Sequence, residues 1–335
     1  LLEGDGGVSD ASLTVLGNSL YSHATLPAAY GGVYPALAQR EHQGNLVPLT
    51  IAAFTQAGLV KKGSSDAKEA LAKIRDEAFR KDVEAFLNEY GNPGIDAIAV
   101  THGPGLEPAL WTGINFEEAL GSAWSVPVLG IDHMEGHIVS ALLKPEKEKT
   151  YSLHKVTFPA LALLISGGHT ELVLMKEMFS YEHVGKTKDD AVGEAFDKVA
   201  RLLDFPYPGG PHIASSAARS RERGGTEITF PLPLMPDHTC DFSFSGLKTA
   251  VLYKLRSMEH ISEHDKEEIA QAFEDAARDA VVSKTWRGME KTKAKTLVVG
   301  GGVSANEEIR TALAKNLSEH YPDAVLLFPE KELTG

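Results

Sequence analysis

Two spacings of apolar residues alternate along this chain. Short, continuous apolar runs are typical of strands, whereas apolar positions three and four residues apart are typical of helices. The predicted strands cover residues 11–22, 95–100, 126–131, 158–165, 170–175, 294–299 and 324–328. The predicted helices cover about 35–58, 61–90, 109–124, 189–203 and 269–289, with another from Glu307. No strand is predicted before residue 11, and the alternation of strands with helices predicts an α/β protein.

Length and one polar stretch indicate two domains. A chain of 335 residues can bury two cores of ordinary size. Residues 144–150 are charged and include a proline, which is typical of a linker. We predict a first domain over 1–142, a linker over 143–158 and a second domain over 159–335. The charged helical stretch at about 61–94 is interpreted as an insertion packed on the first domain.

Composition narrows the class of protein. Hydrophobic residues make up 43% and charged residues 24% of the chain, which is typical of soluble globular proteins. No signal peptide and no run of about 18 apolar residues is found, so no membrane association is expected. Cys240 is the single cysteine, which excludes an internal disulfide and favours a reducing compartment; the predicted localisation is cytoplasmic. We interpret Cys240 as a buried or loop thiol.

The charge bears on nucleic-acid binding. The net charge is −13 and the pI is about 5.5. Phosphate contacts need Lys and Arg, so this charge argues against nucleic-acid binding over the whole surface. A local basic patch, or a partner subunit that supplies positive charge, stays possible.

His133 and His137 form a candidate metal-binding pair. On a helix, residues four apart lie about 40° apart around the axis, so both imidazoles can reach one ion. The alternative is a pair of surface or capping histidines. The zinc-peptidase pattern places Glu directly after the first His. Here Glu135 lies two residues on, about 200° around the helix, which argues against a peptidase.

Two glycine-rich turns are candidate ligand contacts. Residues 166–169, Ser-Gly-Gly-His, join two apolar runs and predict a β-hairpin whose backbone N–H groups can approach a phosphate. Residues 300–306 follow a strand and precede a helix, as in nucleotide-binding elements, but lack the dinucleotide fingerprint. Asn306 is either a base or ribose contact or simply the N-cap of that helix. A plain tight turn is the alternative for residues 166–169.

Carboxylates mark one side of the predicted helix over 189–203. Asp190, Glu194 and Asp197 are spaced four and three residues apart, which places them on a shared polar side. Such a side is either solvated or suited to ribose hydroxyls and substrate amines. Residues 207–211, Tyr-Pro-Gly-Gly-Pro, follow the helix, and their glycines allow backbone to approach a ligand closely.

Four separated motifs together resemble one family. They are His133–His137, Leu164–His169, Asp190–Asp197 with Tyr207–Gly210, and Gly300–Asn306. Their order and spacing resemble the TsaD family, the tRNA threonylcarbamoyladenosine transferases. Residues 241–249 and 103–106 also resemble it. The resemblance covers nearly the whole chain, with the exception of the stretch at 61–94.

The resemblance implies a fold and an activity. The fold is the actin-like, sugar-kinase-like and Hsp70-like α/β fold of two domains around an interdomain cleft. The activity is transfer of the threonylcarbamoyl group from threonylcarbamoyl-AMP to N6 of adenosine-37 in tRNAs that read ANN codons. TsaB-like and TsaE-like proteins are the implied partners, and no membrane is involved.

The resemblance also implies site residues. His133 and His137 would bind one divalent metal ion, Fe(2+) in the first place, with Zn as the alternative. No residue is assigned with certainty as catalytic. The implied substrate-binding residues are Leu164, Ile165, Ser166, Gly167, Gly168, Asp197, Gly210 and Asn306.

The ends of the chain depart from the family pattern, and three rival functions stay open. Residues 1–10 do not match the acidic turn with which the family begins, and a third metal ligand, an Asp, is expected just after Gly335. We therefore expect a chain truncated at both ends. The rivals are a metallopeptidase, an ATP-dependent kinase or ATPase of the same fold, and a non-catalytic scaffold.

Overall fold

The chain divides into two units, each with its own strands and helices. The structure is a computed structural model that describes residues 1–7, 10–21, 35–232 and 238–334. Unit 1 comprises Leu1–Gly136 with Lys144–Leu153, and unit 2 comprises His137–Leu143 with His154–Gly335. Both units combine helices with strands, so the predicted α/β class is confirmed.

Unit 1 contains two separate sheets. Its strands are β1 (Leu2–Asp5), β2 (Ser12–Val15), β3 (Ile98–Gly103), β4 (Val128–Asp132), β5 (Leu143–Lys147) and β6 (Thr150–Leu153). Its helices are α1 (Pro35–Ala57), α2 (Lys68–Leu71), α3 (Glu77–Glu89) and α4 (Glu107–Trp124). Four strands pair in the order β1-β2-β6-β5, and β3 pairs with β4 in parallel. The chain passes from unit 1 to unit 2 within the next helix, α5 (His133–Leu142).

Two predictions about this part of the chain are wrong. Residues 143–158 are not simply a linker, because they contain β5 and β6. Pro145 misled the prediction: β5 is an edge strand with exposed residues, where proline is tolerated. A strand also precedes residue 11, since β1 pairs antiparallel with β2. The residues of β1 are all exposed, so backbone pairing forms this strand without an apolar pattern.

The stretch at 61–94 contributes to the core of unit 1. Helix α3 begins after Asp76, whose carboxylate accepts the Phe79 N–H at 2.8 Å. Four of its apolar side chains, Phe79, Val83, Phe86 and Leu87, are at most 3% exposed and form one cluster with Phe116 and Trp124 of α4. The apolar face of this charged helix is therefore part of the core, and only its polar face meets solvent.

Unit 2 is built on one mixed sheet. Its strands are β7 (Ala160–Ile165), β8 (Thr170–Met175), β9 (Tyr181–Lys186), β10 (Thr296–Gly300) and β11 (Val325–Leu327). Its helices are α6 (Val192–Leu202), α7 (Gly209–Glu222), α8 (Ser245–Arg256), α9 (Glu263–Thr292) and α10 (Glu307–His320). The strand order is β11-β10-β7-β8-β9. The predicted hairpin is confirmed, because β7 pairs antiparallel with β8 and Ile165 lies opposite Thr170.

Parallel pairing brings the two glycine-rich turns to one edge of this sheet. Strand β7 pairs in parallel with β10, and Leu164 lies opposite Gly300. Both strands therefore end at the same edge, where the turn after β7 and the turn after β10 begin. This edge is where α/β folds commonly bind ligands.

Glu117 is a partly buried carboxyl group in unit 1. It lies on α4 between Gly113 and Gly121, one turn away on either side, and these glycines pack against Val100 of β3 and Val128 of β4. Burial of the carboxyl group raises its pKa to about 7. The folded protein therefore favours the protonated form of Glu117.

Replacing Glu117 with glutamine should stabilise the protein above neutral pH. The folded-state pKa lies above the unfolded value of 4.5, so wild-type stability decreases as the pH rises from about 4.5 to about 7. We expect Glu117→Gln to raise the free energy of unfolding by about 1–3 kcal/mol at pH 8, and by much less at pH 5. Urea denaturation at both pH values measures this.

The neighbouring carboxylate provides the control for this experiment. Glu118 is paired with Lys73 at 2.6 Å on the surface, so Glu118→Gln should give no gain at pH 8. An equal gain from Glu117→Gln at both pH values would contradict the assignment of a raised pKa.

Candidate functional site

The turn after β7 is closed by two hydrogen bonds. The Ser166 N–H donates to the His169 carbonyl at 2.9 Å, and the His169 N–H donates to the Ser166 hydroxyl at 3.1 Å. Gly167 and Gly168 at its tip are exposed. The side chains of Leu164 and Ile165 are at most 1% exposed and lie within the sheet, so only their backbone could reach a ligand.

Helix α6 begins directly against this turn. The hydroxyl of Thr170 accepts the Val192 N–H at 2.8 Å in a buried position. One residue later, a Cβ added to Gly193 would lie 2.5 Å from the Ser166 carbonyl oxygen, which is too close for any side chain. Glycine is therefore required for the helix to approach the turn this closely.

Asp197 lies one turn further along α6. Its carboxylate accepts the Gly209 N–H at 2.7 Å, which connects α6 to the start of α7. Burial raises the pKa of Asp197, although the Gly209 N–H partly offsets this effect. Burial, together with the negative charge of Asp197, also raises the pKa of Tyr207.

The other two carboxylates of the predicted polar side have a different role. Asp190 and Glu194 both bind the Lys198 ammonium, at 2.7 Å and 2.8 Å. The three carboxylates therefore do not act as one group, and Asp197 alone of these three lines the cavity described below.

The turn after β10 also requires glycine. Gly301 has a φ of +93°, and a Cβ there would collide with the Ile165 carbonyl. A short 3-10 helix over Gly302–Ala305 then leads to Asn306. The Asn306 side chain accepts the Ile309 N–H at 3.0 Å as the N-cap of α10, and its amide donates to Glu274 at 2.7 Å.

These segments enclose one cavity of about 740 Å³ in unit 2. Four of the residues implied as substrate contacts line it: Gly167, Asp197, Gly210 and Asn306. Much of the remaining wall is apolar and is formed by Phe196, Tyr207, Pro208, Pro211, Ala214, Ala218, Val303 and Ala305. The volume of the cavity and its largely apolar lining suit a ligand of the size of a nucleotide that contains one flat ring system.

Sequence reasoning missed several residues of this site. Thr170 and Gly193 position α6, while Arg221 and Glu274 line the cavity from α7 and α9. The glycine within the Asp190–Asp197 motif was an available signal, because a conspicuous helical glycine often marks close packing. Arg221 gave no signal, since it alternates with Arg219 and Arg223 along a polar stretch.

The histidine pair lies on α5. This helix starts at His133, and the Asp132 carboxylate caps it by accepting the Met134 N–H at 2.8 Å and the Glu135 N–H at 3.0 Å. Within unit 2, a Cβ on Gly300 would lie 2.5 Å from the His137 carbonyl oxygen, so β10 ends against the backbone of His137. The described ranges contain no group of three or more His, Cys, Asp or Glu side chains arranged to hold a metal ion.

Cys240 is buried, as interpreted from the sequence. Its side chain is 2% exposed, and burial raises the pKa of its thiol. Within the part of the chain that the structure describes, every helix is too short or too polar to cross a bilayer.

The fold is that of an α/β protein, and a cavity of about 740 Å³ lies beside the turns that follow the parallel strands β7 and β10. Residues 77–335 match the family described as TsaD, tRNA N6-adenosine threonylcarbamoyltransferase. The chain is 38% identical over 328 residues to the tRNA N6-adenosine threonylcarbamoyltransferase of Burkholderia cenocepacia (strain HI2424), a match that covers 95% of this chain and 83% of that protein. A Burkholderia thailandensis relative of the same name is 39% identical with equal coverage.

The chain therefore belongs to the TsaD family, and the predicted resemblance is confirmed. It is a member of a transferase family, which argues against the scaffold and peptidase alternatives. The expectation that the resemblance excludes 61–94 is wrong for residues 77–94, which the family match includes.

Two solved structures share more distant similarity. The crystal structure of T. kodakarensis HypF has a TM-score of 0.48 and 15% identity, covering 70% of this chain and 37% of that chain. A full-length HypF in its phosphate- and nucleotide-bound form has a TM-score of 0.49 and 12% identity, covering 77% and 40%. Similarity at this level supports no conclusion about this chain.

Replacing Gly193 with alanine should destabilise unit 2. In an ordinary helix, Gly→Ala stabilises by about 1 kcal/mol, but here the new methyl group would collide with the Ser166 carbonyl. We expect Gly193→Ala to lower the melting temperature measured by differential scanning calorimetry.

Gly210 is the matched control for Gly193. It also lies in the first turn of a helix, but no atom lies within 4 Å of a Cβ added there. Gly210→Ala should leave the melting temperature unchanged or slightly higher. Equal melting temperatures for the two variants would contradict the close approach at Gly193.

Proposed function

We propose that this chain transfers the threonylcarbamoyl group of threonylcarbamoyl-AMP to N6 of adenosine-37 in tRNAs that read ANN codons. The observation that carries the proposal is the convergence of Gly167, Asp197, Gly210 and Asn306 on one cavity in a chain of this family. The kinase and ATPase alternative gains no support from a specific observation.

The lining of the cavity suits an adenylate in one orientation. Backbone N–H groups at the tip of the 166–168 turn suit the phosphate, because glycine lets a ligand approach the backbone. Asp197 can accept hydrogen bonds from ribose hydroxyls. The adenine ring suits the apolar wall that is formed by Ala214 and Ala218 of α7 and by Val303 and Ala305.

The reaction needs little activation by the protein. The N6 amine attacks the carbonyl carbon of the mixed anhydride, and the bond from that carbon to the phosphate oxygen breaks. AMP leaves with the electron pair, and the proton lost by N6 goes to solvent. Donors at the 166–168 turn would stabilise the charge that develops on the leaving phosphate. Positioning of the two reactants would supply much of the remaining rate enhancement.

The finer fold assignment is also a proposal. We assign the actin-like, sugar-kinase-like and Hsp70-like class, which the mixed five-stranded sheet of unit 2 and its surrounding helices support. TsaB-like and TsaE-like partner proteins and a cytoplasmic location are likewise proposals. The net charge of −13 supports a partner that contributes positive charge toward tRNA.

Metal binding at His133 and His137 is a further part of the proposal. The described residues supply two imidazoles and no cluster of three ligands, whereas catalytic zinc sites typically use three protein ligands. The pair alone is therefore an incomplete ligand set, and no step of the reaction is assigned to a metal here. Iron(II) is the proposed ion, with zinc as the alternative.

Asp197→Asn should impair tRNA modification because the variant binds threonylcarbamoyl-AMP more weakly. An amide oxygen is a poorer acceptor for ribose hydroxyls than a carboxylate, so we expect KM for threonylcarbamoyl-AMP to rise roughly tenfold or more. The assay combines protein, partner proteins, donor and tRNA, and quantifies the modified nucleoside by mass spectrometry. Glu194→Gln, one turn earlier on α6 but bound to Lys198, is the control with little expected effect. Absence of modification by the wild type would disprove the proposed function itself.

Metal content tests the histidine proposal separately. Because two imidazoles are an incomplete ligand set, we expect wild-type protein that has been incubated with a divalent metal and desalted to retain less than one equivalent by elemental mass spectrometry, and His137→Ala to retain much less than the wild type. His183→Ala removes an exposed histidine of β9 that pairs with Glu171, and should retain the metal. Retention of metal by His137→Ala would exclude this ligand.

A further inference from the structure

Arg221 is the one basic side chain among the described residues that line the cavity. It lies near the end of α7, and its side chain is 24% exposed. Its guanidinium donates to Glu274 at 2.8 Å and to Asp275 at 2.7 Å. Glu274 is 1% exposed and also accepts a hydrogen bond from the Asn306 amide, so the guanidinium is paired with a buried carboxylate.

The cavity follows one face of α7. Gly210, Ala214, Ala218 and Arg221 line it at intervals of four, four and three residues. Eleven residues of helix correspond to about 16 Å, which approaches the length of a nucleotide that carries an acyl group. Gly210 marks one end of this face and Arg221 the other.

The ends of the cavity differ in chemistry. Near Gly210, Asp197 binds the Gly209 N–H, and one turn earlier on α6 Gly193 contacts the Ser166–Gly167 turn. At the other end, Arg221 connects through Glu274 to Asn306. The order along the cavity is thus turn, carboxylate, apolar wall and a guanidinium paired with the lining carboxylates Glu274 and Glu308. An adenylate has the matching order of phosphate, ribose and base.

The guanidinium of Arg221 is a flat, charged group in the wall of the cavity. All guanidinium N–H groups lie in one plane. Three carboxylates pair with this group: Glu274 at 2.8 Å, Asp275 at 2.7 Å and Glu308 at 3.6 Å. A guanidinium that is hydrogen-bonded through its edges can stack one face on an aromatic ring. A charged plane that pairs with three carboxylates is also preorganised, so little side-chain entropy is lost on binding.

We propose that Arg221 stacks its guanidinium plane on the adenine ring of the adenylate and thereby contributes specificity for the base. This inference rests on the proposed function, because it takes the adenylate as the occupant of the cavity. It assigns to Glu274 and Asp275 the role of positioning residues for Arg221.

Arg219 provides a matched control on the same helix. It precedes Arg221 by two residues and therefore points to another side of α7. Its guanidinium binds Glu267 at 2.6 Å and Ser216 at 2.9 Å, and it does not line the cavity. Arg219→Lys thus changes the same residue type, helix and kind of ion pair without touching the site.

The experiment measures AMP binding by isothermal titration calorimetry for the wild type, Arg221→Lys, Arg221→Gln and Arg219→Lys. Lysine keeps the charge and can still pair with Glu274, and glutamine can still donate to it, so both variants protect the buried carboxylate. We expect Kd for AMP to rise roughly tenfold in both Arg221 variants, since base stacking is lost. Arg219→Lys should stay within about twofold of the wild type, and melting temperatures verify folding.

The outcomes separate stacking from other roles. Wild-type affinity in Arg221→Lys would overturn the inference, because charge alone would then suffice. An equal loss in Arg219→Lys would also overturn it, because the effect would not be specific to the cavity. The tRNA modification assay on the same wild-type sample distinguishes the two proposals. If the wild type modifies tRNA and the Arg221 variants bind AMP as tightly as the wild type does, only the stacking proposal is refuted. A wild type that neither binds AMP nor modifies tRNA refutes both.

Discussion

Backbone contact at the end of β7 is the constraint on which the site depends. The carbonyls of Ile165 and Ser166 are approached by Gly301 and Gly193, at distances that exclude a Cβ. The absence of two side chains allows the segment after β10 and the start of α6 to reach the same turn. Asp197 and Asn306 owe their positions to these contacts, since each follows its glycine by four or five residues.

Ion pairs, rather than close backbone contacts, stabilise the end of the cavity that Arg221 and Glu274 line. Glu274 is almost fully buried, and both of its oxygens are used, one by Arg221 and one by Asn306. A buried carboxylate without such partners would be strongly destabilising, so this end can keep its charge only as a complete network. One end of the cavity therefore depends on Gly193 and Gly301, which let backbone segments approach each other closely. The other end depends on ion pairs that hold the Arg221 guanidinium in place.

Local patterns predicted much of unit 2 and less of unit 1. The hairpin of β7 and β8 was evident, because two apolar runs flank a Gly-Gly turn and both strands are buried. Strand β1 was not evident, because its exposed residues carry no apolar signal and it exists only through pairing with β2. Strand β5 was hidden by Pro145, which an edge strand tolerates. Edge strands are defined by their neighbours, and neighbours are not visible in a local window.

The amino-acid sequence by itself determined the α/β class, the family and the motifs that carry the candidate site. These follow from local spacing and from the order of short motifs, both of which are properties of the linear chain. Only the tertiary structure decided which members of those motifs share a cavity. Asp197 lines the cavity, whereas Asp190 and Glu194 bind Lys198. Arg221 also lines the cavity, whereas Arg219 and Arg223 bind Glu267. The physical reason is that these assignments depend on packing between helices distant in sequence, where one hydrogen-bond partner decides the direction of a side chain.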